Sequence, residues 1–66
     1  MNWGIKKVEY DSSNNPIYIG MSRNPSKNIN DDGWYIKKMT YDSSNNVLQI
    51  EKKIGIWANR TTLGWG

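Results

Sequence analysis

Trp34-Tyr35-Ile36-Lys37-Lys38-Met39-Thr40-Tyr41-Asp42-Ser43-Ser44-Asn45-Asn46-Val47-Leu48-Gln49-Ile50-Glu51 decides the fold, because it is the second of two copies. Sliding the chain by 31 positions lays it over residues 3–20. Trp3 falls on Trp34, and the identity runs on through Ile5, Lys6, Lys7, the block Tyr10 to Asn15, and Ile19. Eleven of the 18 positions are identical, and Val8 with Met39 and Ile17 with Leu48 are mild exchanges. The unit is therefore used twice.

Each copy reads as a β-hairpin, a β-prone run before Tyr-Asp-Ser-Ser-Asn-Asn and a second apolar run after it. Asp and Asn side chains bond nearby backbone amides, and Asn tolerates a positive φ, which suits a loop of four or five residues. Asp11 to Asn15 and Asp42 to Asn46 are thus the expected loop tips. Alternation fails in the first strand of each copy, where Trp3 and Ile5 share one face and Val8 and Tyr10 the other. A bulge at Lys6-Lys7, and again at Lys37-Lys38, would return Ile5, Val8 and Tyr10 to a common face. Without it, Val8 and Met39 must pack on a second face, and the sheet is two-sided.

Working outward, residues 21–33 hold Asn24-Pro25-Ser26 and Asn30-Asp31-Asp32-Gly33 and read as an exposed connection. Residues 52–66 leave the repeat; their first part can continue the strand, and Trp57 to Leu63 reads as a short helical turn or a loop. The expectation is one all-β domain over 1–66, a small antiparallel sheet of two tandem hairpins (3–20 and 34–51), closed by a C-terminal tail. In it Trp3, Ile5, Trp34 and Ile36 form the packed face. Trp57, Leu63 and Trp65 anchor the tail or a partner, and Arg60 ties the tail down through an ion pair or a backbone cap.

Composition narrows the chemistry. At 66 residues, with 36% hydrophobic residues and no cysteine, the chain has a small core and no disulfide to staple it, so a partner or an oligomer is expected to complete it. No histidine or cysteine removes the usual general base, nucleophile and soft metal ligands. The carboxylates Glu9, Asp11, Asp31, Asp32, Asp42 and Glu51 sit in a domain too small for a deep cleft, so no catalytic residue, cofactor or metal is assigned. Asp11, Ser13 and Asn15, with Asp42, Ser44 and Asn46, have the opening rhythm of a calcium loop, but its glycine and distal glutamate do not follow. Hairpin turns are the better reading. Asn59-Arg60-Thr61 fits the N-glycosylation pattern, which matters only in a secreted chain.

The net charge is +3, and six lysines stand in the doublets Lys6-Lys7, Lys37-Lys38 and Lys52-Lys53. Such doublets on strands read as solvated faces or edge protection before they read as a nucleic-acid footprint. No apolar run is long enough to cross a membrane, and Met1-Asn2-Trp3-Gly4 does not open like a secretory signal, so the expectation is a soluble protein made in a cytoplasm.

Trp34, Ile36 to Lys38, the turn Tyr41 to Asn46, and the ending Ile56, Asn59, Arg60, Leu63 with Trp65 close behind together resemble small proteins of tailed bacteriophages, particularly those of marine bacteria and cyanobacteria. The resemblance spans most of the chain on short motifs. It implies a non-enzymatic virion accessory (capsid decoration, head fibre, neck or tail component), assembled in the host cytoplasm in many copies or as an oligomer beside other virion proteins. The Tyr-Asp turns also resemble the tyrosine-aspartate repeat of large bacterial shell-forming toxins, over the turns alone. Those repeats place glycine where Asn14 and Asn45 stand. The alternative from another class is a small nucleic-acid- or carbohydrate-binding β module that uses the lysine doublets and exposed aromatics.

Overall fold

The computed structural model describes residues 4–65. Four strands, β1 (Ile5–Tyr10), β2 (Pro16–Ser22), β3 (Trp34–Tyr41) and β4 (Val47–Gly55), form one antiparallel sheet in the order β1-β2-β3-β4. A bent 3₁₀ helix, Trp57–Thr62, follows. The fold is all-β, two tandem hairpins and a tail. Among the described residues no helix is long and apolar enough to cross a membrane.

The two turns are near copies, as the repeat requires. Asp11 Oδ1 accepts from the amides of Ser13 and Asn15, both at 2.9 Å, and Asp42 Oδ1 accepts from Ser44 at 2.8 Å and Asn46 at 2.9 Å. Each loop reverses at an asparagine in the left-handed region, Asn14 with φ 64° and Asn45 with φ 66°. Asn pays little steric penalty there, since its short polar side chain bonds locally. Asn15 Nδ2 donates to Asn45 Oδ1 at 2.9 Å, which ties the two tips together.

The expected bulges are corrected. Pairing runs without a break through Lys6-Lys7 and through Lys37-Lys38; the register shifts instead between Glu9 and Tyr10 and, at the equivalent place, between Thr40 and Tyr41. The physical reason is that each lysine doublet keeps strict alternation, one lysine per face. The apolar residues before and after the doublet then lie on opposite faces, and the sheet has two apolar sides. The strands also run beyond the repeat window, β2 to Ser22 and β4 to Gly55.

The core lies on one side only. Trp34, Ile36 and Trp57 are its buried hydrophobics, with Ile5, Tyr18, Leu63 and Trp65 packed around them. Trp57 of the 3₁₀ helix reaches over Gly20 of β2, and Leu63 covers Gly55 of β4. The connection between β2 and β3 is mostly exposed but locally ordered. Its Ile29 carbonyl accepts from the Ala58 amide at 3.0 Å and its Asn28 carbonyl from Trp34 Nε1 at 2.9 Å, which fastens the 3₁₀ helix and the core to the same loop.

Candidate functional site

Register assigns every strand residue to a face, since directly opposed residues point the same way. On the covered face lie Ile5, Lys7 and Glu9 of β1, Tyr18 and Gly20 of β2, Trp34, Ile36 and Lys38 of β3, and Glu51, Lys53 and Gly55 of β4. The tail lies across them, and its Trp57, Arg60 and Trp65 form a row of stacked rings and cations with Trp34, Tyr18 and Lys38 of the sheet. Trp34 and Trp57 meet with centroids 6.0 Å apart, Arg60 sits 4.7 Å above Trp57 and 6.0 Å from Tyr18, and Tyr18 meets Trp65 at 6.2 Å. Lys38 ends the row, 5.9 Å from the Trp65 ring. Arg60 Nε also donates to Glu9 Oε1 at 2.7 Å, and its Nη1 to the Trp57 carbonyl at 3.2 Å. Trp65 Nε1 donates to the Arg60 carbonyl.

Ile5, Trp34, Ile36, Trp57, Arg60, Leu63 and Trp65 are thus gathered on this one face, and Trp3 lies outside the described residues. None of the three described tryptophans is exposed, and Trp34 and Trp65 also spend their indole N–H groups on backbone carbonyls. Little tryptophan ring surface remains among the described residues for a base or a sugar, and the exposed rings are those of Tyr10 and Tyr35.

Among the described residues, none covers the second face. It carries Lys6 and Val8, Ile17, Ile19 and Met21, Tyr35, Lys37 and Met39, then Leu48, Ile50, Lys52 and Ile54. Ile54 and Leu48 are 64% exposed, Ile50 54% and Tyr35 43%. Apolar groups at this density form one continuous face, unlike the singly scattered apolar residues of an ordinary surface. A groove of about 430 Å³ opens here, lined by Met21, Tyr35, Lys37, Lys52 and Ile54 together with Ile36 and Lys53. The face bears three lysines, Lys6, Lys37 and Lys52, and no acidic residue. Sequence reasoning placed Val8 and Met39 on such a face only for the case without bulges, and none of its candidate site residues; the signal was the unbroken alternation through the lysine doublets.

The acidic residues of the loops act locally. Asp31 Oδ2 accepts from the Asn28 amide at 3.0 Å and Asp32 Oδ1 from the Gly33 amide at 2.8 Å, both as turn formers. Among the described residues no cluster of three or more acidic, histidine or cysteine side chains is arranged to hold a metal. Asp42 is held below the ordinary value of 3.8, chiefly by the Asn46 amide, which outweighs an opposing effect of desolvation, with the Ser44 amide and Asn46 Nδ2 adding smaller lowering effects. A lowered folded-state pKa contributes stability that is complete above the unfolded value and is lost as pH falls through the folded one. In an NMR titration the Asp42 carboxyl is therefore expected to titrate below 3.8, with the second turn loosening across that interval. A midpoint at or above 3.8 would contradict the turn geometry.

No protein-family model, curated protein or solved structure matches the chain. The functional reading therefore rests on its own residues.

Proposed function

We propose that this protein is a non-enzymatic docking module, a multi-copy virion accessory of a tailed bacteriophage that sits on a larger protein surface as a capsid decoration, head fibre, neck or tail component. The observation that carries the docking role is the uncovered face, where Ile50, Ile54, Leu48 and Tyr35 stay exposed while the tail covers the other side. An antiparallel sheet commonly leaves a polar face in water, whereas this one leaves an apolar face there, and no described residue covers it. The virion setting is supported by the resemblance carried by Trp34, Ile36 to Lys38, Tyr41 to Asn46, and the ending Ile56, Asn59, Arg60 and Leu63. Enclosure of the described tryptophans and the mainly aliphatic groove around Tyr35 favour docking over base or sugar stacking, which uses several open rings in a row.

Mass spectrometry of virions purified from the phage that carries the gene tests the setting. The expected result is the chain in fixed proportion to the major capsid protein. Abundance in infected cells with absence from particles overturns the virion reading.

A further inference from the structure

We propose that the open face binds a protein segment carrying a carboxylate beside an aliphatic side chain, with the carboxylate between Lys37 and Lys52 and the aliphatic group against Met21, Tyr35 and Ile54. The inference rests on the docking role proposed above and adds the chemistry of the partner.

Lys37 and Lys52 are directly opposed on β3 and β4, in the middle of the open face. Like charges so placed repel and destabilise the strand pair. Their covered-face neighbours are opposed differently, Lys38 against Glu51, where the charges are complementary. No acidic residue shares the face of Lys37 and Lys52, and neither ammonium forms a hydrogen bond or ion pair with a described residue. An incoming carboxylate turns that repulsion into two attractions. The surrounding aliphatic groups exclude water, which strengthens a charge-assisted hydrogen bond. The groove beside the lysines has an apolar floor, so one charged and one aliphatic group are satisfied side by side.

Charge and area select a foreign protein segment over the other occupants. A second copy would bring Lys6, Lys37 and Lys52 against the same three lysines. Four strands about 4.8 Å apart and six to nine residues long present roughly 500 Å², about three-fifths of the roughly 800 Å² per partner of a standard interface. That area fits a single extended segment, and copy number supplies the remaining affinity. Nucleic acid would want aromatic platforms, whereas this floor is mainly aliphatic.

The test is an NMR titration of the full chain with three capped octapeptides, alternating leucine with glutamate, leucine with glutamine, and serine with glutamate. The leucine–glutamate peptide is expected to shift the amides of Met21, Tyr35, Lys37, Lys52 and Ile54, and the other two to bind about tenfold more weakly or less. The double variant Lys37→Gln, Lys52→Gln is expected to lose about tenfold in affinity for it. Ile54→Ser is expected to abolish the shifts, since it removes the groove's aliphatic wall. Unchanged circular dichroism and melting of these surface variants would show that the sheet persists. Equal binding of the glutamine peptide, wild-type affinity in the double variant, or shifts confined to the tail overturn the proposal. So does a response at these amides to phosphatidylglycerol-containing vesicles and none to the peptides, which would assign the face to a membrane. A chain that binds the peptide but is missing from virions keeps this site and loses the virion setting. One found in virions that fails the titration loses the site alone.

Discussion

Trp34→Ala is expected to leave most of the chain unfolded at physiological temperature. Trp34 has no exposed surface, stacks with Trp57, and donates from Nε1 to the Asn28 carbonyl at 2.9 Å. Truncating a buried tryptophan costs about 3–5 kcal/mol. A 66-residue domain at about 0.05–0.15 kcal/mol per residue holds only about 3–10 kcal/mol in total. The loss is a large share of that because the described core has so few members, and Ile36 and Trp57 cannot close the space left between them. Trp34→Phe keeps most of the ring and leaves the Asn28 carbonyl without its donor, for about 1–2 kcal/mol. Urea unfolding followed by far-ultraviolet circular dichroism separates the two variants. An alanine variant within about 1 kcal/mol of the parent would mean that Trp34 is not the centre of the core.

Gly20→Ala is expected to detach the tail. A methyl group at this position would lie 2.5 Å from Cζ3 of Trp57 and closer still to Cε3, well inside contact distance. The indole cannot tilt away easily, since Trp34 lies against it and the Arg60 guanidinium stacks on it. Overpacking of this kind costs about 3 kcal/mol, more than the roughly 0.5–1 kcal/mol that alanine gains over glycine in a strand. Tryptophan fluorescence should shift to the red and the Trp65 indole N–H should lose protection from exchange. Adding Trp57→Ala to Gly20→Ala should cost much less than the sum of the two, because the second change removes the clash. Strict additivity, or a tail that stays protected in Gly20→Ala, would overturn the close approach.

How far the sequence was legible follows the length scale of each feature. The turns could be read because their causes are local: Asp42 caps amides two and four residues away, and Asn45 alone takes the strained φ. The 31-residue offset carried this reading from one hairpin to the other. Shared packing was legible where apolar alternation was plain, at Ile5, Trp34 and Ile36. The lysine doublets were misread as bulges because a two-residue polar step looks the same whether a strand kinks or continues with an apolar second face. The join between β1 and the tail had no local sign, since Glu9 and Arg60 are 51 positions apart. Gly20 did carry one. It stands where the second copy has Glu51, and a glycine that breaks a repeat inside a strand marks a close approach.

The meander order governs the sequence of events when the chain folds. β1 with β2 and β3 with β4 each close over a short turn, and β2 with β3 close over residues 23–33, so all three pairings are local and entropically cheap. The contact of Arg60 with Glu9 closes nearly the whole chain. The tail therefore docks last in folding and undocks first in local opening, a step that loss of tail protection in Gly20→Ala would report. Between those moments the sheet stands with both faces bare. Self-association of this protein is then expected to track the lifetime of the undocked tail more than the stability of the strands, and the same apolar face proposed for docking adds to its tendency to aggregate.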